Sequence, residues 1–293
     1  MKMHQLIVGR DSTELNGLRM IGSPDERVFL DDSTALTCSN AKFITVLKMP
    51  ACISTAVNLA TVAQHAAVTS VVDHFYHAEL LSQAFSQTSF QVSVLIALNA
   101  GTDCVGVRPG YDALRLAQAM QELKGLNAIG LATNLTRQQN NELAETVSAI
   151  RHTENLLTQN SLAVSRVMLC DFALSHSTDS LIRTGATDLI LYDGRDMGRT
   201  DLAVGPSNPA GNATVISRPS LSTAVIDIGR FSLWPDAGPV CVRVTRPQGA
   251  TVLQIDEFTT ALGLAGNALD LRIGDQLEWK VEHSDWILKP NSY

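Results

Sequence analysis

From about Val68 to Asp193 the chain alternates short apolar runs with amphipathic stretches, and past residue 212 only short β-branched runs follow. A continuous apolar run suits a parallel strand buried on both faces, and the amphipathic stretch after it supplies the crossover helix. The first part therefore reads as repeated β-α units. Val71-Val72-Asp73 ends one strand, with its helix over Tyr76 to Gln87; Ser93 to Leu98 is the next strand, and Ala113, Leu116, Ala117, Met120 and Leu123 recur at helical spacing after it. Ala128 to Ala132, a helix from about Gln138 to Thr158, Arg166 to Cys170 and Asp188 to Tyr192 continue the series. Val28 to Leu30 and Phe43 to Leu47 are candidate earlier strands, so six to eight strands are expected, which is crowded for a complete eight-fold barrel.

The segment 204–212, rich in Gly, Pro and Asn, reads as a turn-rich linker. Beyond it, Ala213 to Ser217, Ala224 to Asp227, Val240 to Val244, Thr251 to Gln254 and Gln276 to Val281 read as strands. The expected fold class is α/β, a TIM-type barrel, complete or incomplete, over residues 1–205, followed by an all-β domain over residues 206–293. A chain of 293 residues, 45% hydrophobic and 17% charged, is long enough to bury both cores.

A formal net charge of -7 and the absence of Lys/Arg clusters argue against nucleic acid or an anionic membrane as partner. Five scattered cysteines, Cys38, Cys52, Cys104, Cys170 and Cys241, with no C-x-x-C pair, suit a reducing compartment. With no apolar run of bilayer length and no signal-like N-terminus, the expected location is the cytoplasm.

Three groups of residues carry chemistry. His283 and Asp285, at the end of the strand-like run through Val281, are two residues apart, and in an extended chain such positions point to one face and can converge on one divalent cation. Asp73, Asp171 and Asp193 stand at the C-terminal ends of expected strands, where barrel enzymes place their sites, and read equally well as N-caps of the helices that follow. His176, between Ser175 and Ser177, reads as a loop or capping residue, since adjacent side chains seldom face each other productively.

Ala213-Thr214-Val215-Ile216-Ser217-Arg218-Pro219 with Ala224 to Gly229, the Gly274-Asp275 turn before His283-Ser284-Asp285, and Val94 to Gly101 with Gly106-Val107-Arg108-Pro109-Gly110 resemble the D-threonine aldolase and D-serine dehydratase family. The resemblance covers roughly residues 58 to 288. It implies pyridoxal phosphate as cofactor, a divalent metal at His283 and Asp285, a D-amino acid substrate and a homodimer. A carboxylate ligand suits Mn²⁺ or Mg²⁺ better than Zn²⁺, which favours the aldolase over the zinc-using dehydratase branch. By the same resemblance Lys42, in Asn40-Ala41-Lys42, is the Schiff-base lysine, with Lys48 in Lys48-Met49-Pro50 as competitor, and Ser175, Ser177 and Thr178 bind the cofactor's phosphate.

The chain departs from the family at several points. The family's Gly-Met-x-Arg is Gly101-Thr102-Asp103-Cys104, its Tyr-x-Gly-His is Asn134-Leu135-Thr136-Arg137, and its Ser-Gly-Gly-Gly-Thr phosphate turn is Leu174-Ser175-His176-Ser177-Thr178. Only about 26 residues separate Lys42 from the strand at Val68, fewer than the family's intervening β-α units need. The expected activity is retro-aldol cleavage of D-β-hydroxy-α-amino acids; the alternatives are D-serine dehydratase-like activity, or a non-catalytic relative that has lost the cofactor and binds a partner or small molecule.

Overall fold

Strands that are buried on both faces must be covered by helices, and four helices cover one face of a parallel sheet in the first of two compact units, Met1–Asp196. The computed structural model describes residues 4–7, 26–29, 41–100, 105–135, 140–171, 184, 186–191, 210–229, 241–256 and 258–282. The first unit runs β1 (His4–Ile7), β2 (Glu26–Phe29), β3 (Phe43–Val46), α1 (Ile53–Val62), β4 (Ala67–Val72), α2 (Phe75–Phe85), β5 (Val92–Ala97), α3 (Tyr111–Met120), β6 (Leu126–Leu135), α4 (Asn140–Gln159), β7 (Val164–Asp171) and β8 (Asp188–Leu191).

The eight strands lie in the order β1-β8-β7-β6-β5-β4-β3-β2, and every neighbouring pair is parallel. β1 and β2, consecutive in the chain, are the two edges and among the described residues are not paired to each other, so this is an incomplete TIM-type barrel. The strand count reaches the upper end of the expected range. Lys42 and Val68 are separated by β3 and α1 alone, and β3 hydrogen-bonds directly to β4, so the short spacing leaves no gap between these two strands. The spacing is therefore no argument that the scaffold is broken.

Alternation sorts the strand residues into two layers. Ile44, Val46, Val68, Val72, Val92, Val94, Ile96, Val167 and Leu169 pack with the helices, among them Leu59, Leu81, Phe85 and Ala117. On the opposite face Arg166 reaches across the sheet. Its guanidinium donates to both carboxylate oxygens of Asp188, at 3.0 and 2.9 Å, and a third nitrogen lies 3.4 Å from the Thr69 hydroxyl on β4. Gly130 makes the room, since a Cβ there would come within 2.4 Å of the Leu95 side chain and 2.8 Å of the Arg166 carbonyl.

α4 shows why its polar stripe members are kept. Leu143, Thr146, Ile150, Thr153 and Leu157 are all buried and recur at three- and four-residue steps. The two threonines fasten a loop: Thr146 donates to the Ala100 carbonyl at 2.8 Å, and Thr153 accepts from the Gly110 N–H at 2.8 Å.

The second unit, Met197–Tyr293, is a six-stranded sheet built from β9 (Ala210–Ser220), β10 (Thr223–Ile226), β11 (Cys241–Arg246), β12 (Ala250–Ile255), β13 (Thr260–Leu264) and β14 (Gln276–Glu282), in the order β11-β14-β9-β10-β13-β12. All its pairings are antiparallel. Ala210, Gly211 and Asn212, expected in the linker, open β9 and pair with β14. Gly211 is there for contact rather than for a turn: a Cβ on it would stand 3.3 Å from the Trp279 ring. Among the described residues no helix is long and apolar enough to cross a membrane.

Candidate active site

In a β/α sheet the loops at the carboxyl ends of the strands converge on one edge, and that edge is where side chains from several strands can meet a ligand. Lys42 and Lys48 lie at opposite ends of β3. Lys42 precedes the strand, and its carbonyl accepts from the Ala67 N–H at 2.8 Å at the amino edge of the sheet. Lys48 follows the strand at the carboxyl edge and is half-buried. Within β3, Ile44 and Val46 face the helices and Thr45, 1% exposed, occupies the other face. A β3-side lysine can therefore serve a site at the carboxyl edge only from beyond the strand, at residue 48.

The neighbouring strand ends add acidic and imidazole groups. Asp73 directly follows β4, and its carboxylate accepts from the Gly106 N–H at 3.0 Å, in the loop after β5. Its other oxygen is 3.3 Å from Nδ1 of His77, and both side chains are buried. Asp73 is not the cap of α2. His74 takes that position, and its Nδ1 accepts from the Tyr76 N–H at 3.1 Å. Asp171 is the last residue of β7, and Asp193 lies outside the described residues.

Burial, followed by the neighbouring His77, holds the His74 imidazole below its ordinary value of 6.5, against the pull of Asp73 and Glu79. The cap needs the neutral ring. Because the folded value lies below the unfolded one, the unfolded state binds more protons between the two, and stability rises with pH there. The contribution is complete above the ordinary value of 6.5 and is lost as pH falls through the depressed value. Melting temperatures measured from about pH 8 to about pH 5 should fall further in the wild type than in His74→Asn, whose amide caps without titrating. Parallel curves would exclude His74 as the titrating cap.

Cys52 stands at the start of α1 on the same edge, exposed, with Sγ 3.0 Å from the Ser54 hydroxyl and 3.4 Å from that of Thr55. Partial burial acts to raise its pKa, but the hydrogen bonds from Ser54 and Thr55 outweigh it and the thiol lies below its ordinary value. Nothing in the sequence pattern singled it out.

Ser175, Ser177, Thr178, His283 and Asp285 lie outside the described residues, and so do Gly101 to Cys104. Among the described residues no group of three or more His, Cys, Asp and Glu gathers as for a metal ion. The juxtaposition that sequence reasoning missed is that of Asp73, His77 and Gly106. Asp73 was marked by its position at a strand end and Gly106 by the Gly106-Val107-Arg108-Pro109-Gly110 turn, but nothing in the sequence linked the two.

A β/α half-barrel followed by an antiparallel β unit is the alanine racemase type of fold. Residues 35–187 match the model of the alanine racemase N-terminal domain, and the chain belongs to that family as a diverged member. Enzymes of this type depend on pyridoxal phosphate. Among solved structures the chain is similar to D-threonine aldolase from Filomicrobium marinum, at 21% identity and a TM-score of 0.53, covering 86% of this chain and 71% of that one. It also aligns with alanine racemase from Clostridium difficile 630 at 11% identity and a TM-score of 0.49, covering 87% of this chain and 71% of that one. For D-threo-3-hydroxyaspartate dehydratase from Delftia sp. HT23 the figures are 14% and 0.43, covering 87% and 82%. No curated protein matches the chain in sequence.

The described residues fit the family's cofactor at one point. A lysine amine is needed at the carboxyl edge, and Lys48 is the lysine beyond the end of β3 on that edge.

Proposed function

We propose that the chain is a pyridoxal phosphate- and divalent-metal-dependent lyase acting on D-β-hydroxy-α-amino acids, with Lys48 rather than Lys42 as the lysine that holds the cofactor. The position of Lys48 at the carboxyl edge carries this reading, while Lys42 stands at the other end of the same strand. The bound cofactor supplies an electron sink for charge developing on the substrate's α-carbon. Lys48 would anchor its aldehyde, Ser175, Ser177 and Thr178 would offer hydroxyl donors to its phosphate, and His283 with Asp285 would hold Mn²⁺ or Mg²⁺ near the substrate hydroxyl. A homodimer is part of the same proposal.

The test is chemical trapping. Protein loaded with pyridoxal phosphate, reduced with borohydride and digested should carry the label on Lys48, and Lys48→Ala should lose it. Label on Lys42 would restore the lysine that the sequence signature suggested. With cofactor and Mn²⁺ in excess, D-threonine should give glycine and an aldehyde; ammonia and a keto acid from D-serine would place the chain in the dehydratase branch. The second reading, a relative that binds without catalysing, is favoured by Leu174-Ser175-His176-Ser177-Thr178 in place of the family's glycine-rich phosphate turn, and absence of label on every lysine would support it.

A further inference from the structure

The Asp73 carboxylate is 2% exposed, and the ring of His77 beside it is fully buried. A carboxylate so far from water is tolerated only when its oxygens are used. One oxygen takes the Gly106 N–H at 3.0 Å. Nδ1 of His77, 3.3 Å from the other oxygen, accepts from the Asp73 backbone N–H at 3.4 Å. Nε2 of His77 finds no hydrogen-bond partner among the described residues, so the ring is committed through Nδ1 to the Asp73 backbone N–H. An apolar residue at 77 would bury no orphaned nitrogen, and what the histidine adds is the contact beside Asp73.

Gly106 is where the loop after β5 turns back on its own strand. Val107 N–H donates to the Ala97 carbonyl at 2.9 Å and Asn99 N–H donates to the Val107 carbonyl at 2.8 Å, which lays Val107 parallel to Leu98. The return is tight: Gly106 has φ of +112°, and a Cβ on it would come within 2.6 Å of the Asn99 nitrogen. From the α4 side the same connection is held by Thr146 on Ala100 and Thr153 on Gly110. From the β4 side, the side nearer Lys48, the hold is the Asp73 carboxylate.

We infer that Asp73 is a positioning residue: held at its backbone N–H by His77, it fixes through the Gly106 N–H residues 105–110, the described part of the β5–α3 connection at the carboxyl edge. Its effect on the cofactor rests on the reading of Lys48 given above, but its effect on the loop does not.

Hydrogen exchange in the full chain tests it. Asp73→Leu keeps the approximate shape and removes the acceptor; Asp73→Asn keeps an acceptor oxygen for Gly106. The leucine variant should speed exchange in peptides spanning residues 105–110 by about tenfold, leaving α4 unchanged, and the asparagine variant should restore most of the protection. In parallel the dissociation constant for pyridoxal phosphate, followed by absorbance, should rise several-fold in the leucine and little in the asparagine variant. Unchanged exchange at 105–110 in Asp73→Leu, a loss spread evenly over β4, β5 and α2, or an asparagine variant as damaged as the leucine one would overturn the inference. If the leucine variant does not fold, Asp73→Ala replaces it with the same expectations. A wild-type protein that takes up no cofactor removes the Lys48 reading and leaves the exchange result to decide Asp73.

Discussion

Phe85→Ala is expected to cost the β/α unit about 3–5 kcal/mol of stability, the range for emptying a fully buried aromatic position. Phe85 closes α2, is 0% exposed and is among the largest fully buried side chains. Gly125, at φ of +79°, already presses against it, so that a Cβ there would stand 2.8 Å from Cβ of Phe85. The four α-helices among the described residues all belong to this unit, so ellipticity near 222 nm in a urea titration reads it. A loss below about 1 kcal/mol would mean the core repacks freely around residue 85.

Gly249→Ala should damage the second unit as severely, by about 3 kcal/mol or more, because two penalties coincide. Gly249 has φ of +96°, and a Cβ on it would lie 2.0 Å from the Ala265 carbonyl oxygen. The obstacle is backbone, and the same residue is tied back by the Ala265 N–H donating to the Gly249 carbonyl at 2.9 Å, so no rotamer relieves it. Gly266 is the control: φ is +55° and nothing lies within 4 Å of the position a Cβ would take, so Gly266→Ala should cost only about 1–2 kcal/mol. Trp234, Trp279 and Trp286 all fall in this unit's span, and tryptophan emission reports its unfolding. Equal losses in the two variants would show that the contact with Ala265 contributes nothing beyond the backbone conformation.

The β-α alternation was legible because β4, β5 and β7 are buried on both faces and so read as apolar runs in the chain. α1 was not, because Ile53 and Val57 are exposed while Ala56, Leu59 and Ala60 are buried, and a helix apolar on both sides shows no contrast to detect. β1 spans only four residues and has no periodic signal of its own. For the cofactor lysine, the family signature pointed to Lys42 with Lys48 as competitor, and the bounds of the strand, Phe43 to Val46, which put the two at opposite ends, underlie our proposal of Lys48. The union of Asp73 with Gly106, 33 residues apart, depends on how two neighbouring strands end and had no local mark in the chain.

The sheet order has a consequence for how the protein is made. β2 pairs with β3, and β3 with β4, strands close in the chain, but His4 of β1 pairs with Asp188. Its partner is therefore synthesised 188 − 4 = 184 residues later, which at translation rates of about 5–20 residues per second is a wait of roughly 10–40 s. Among the described strands of this sheet β1 waits longest for its partner, and a chain released before residue 188 leaves that strand with none of the hydrogen bonds it makes in β1–β8.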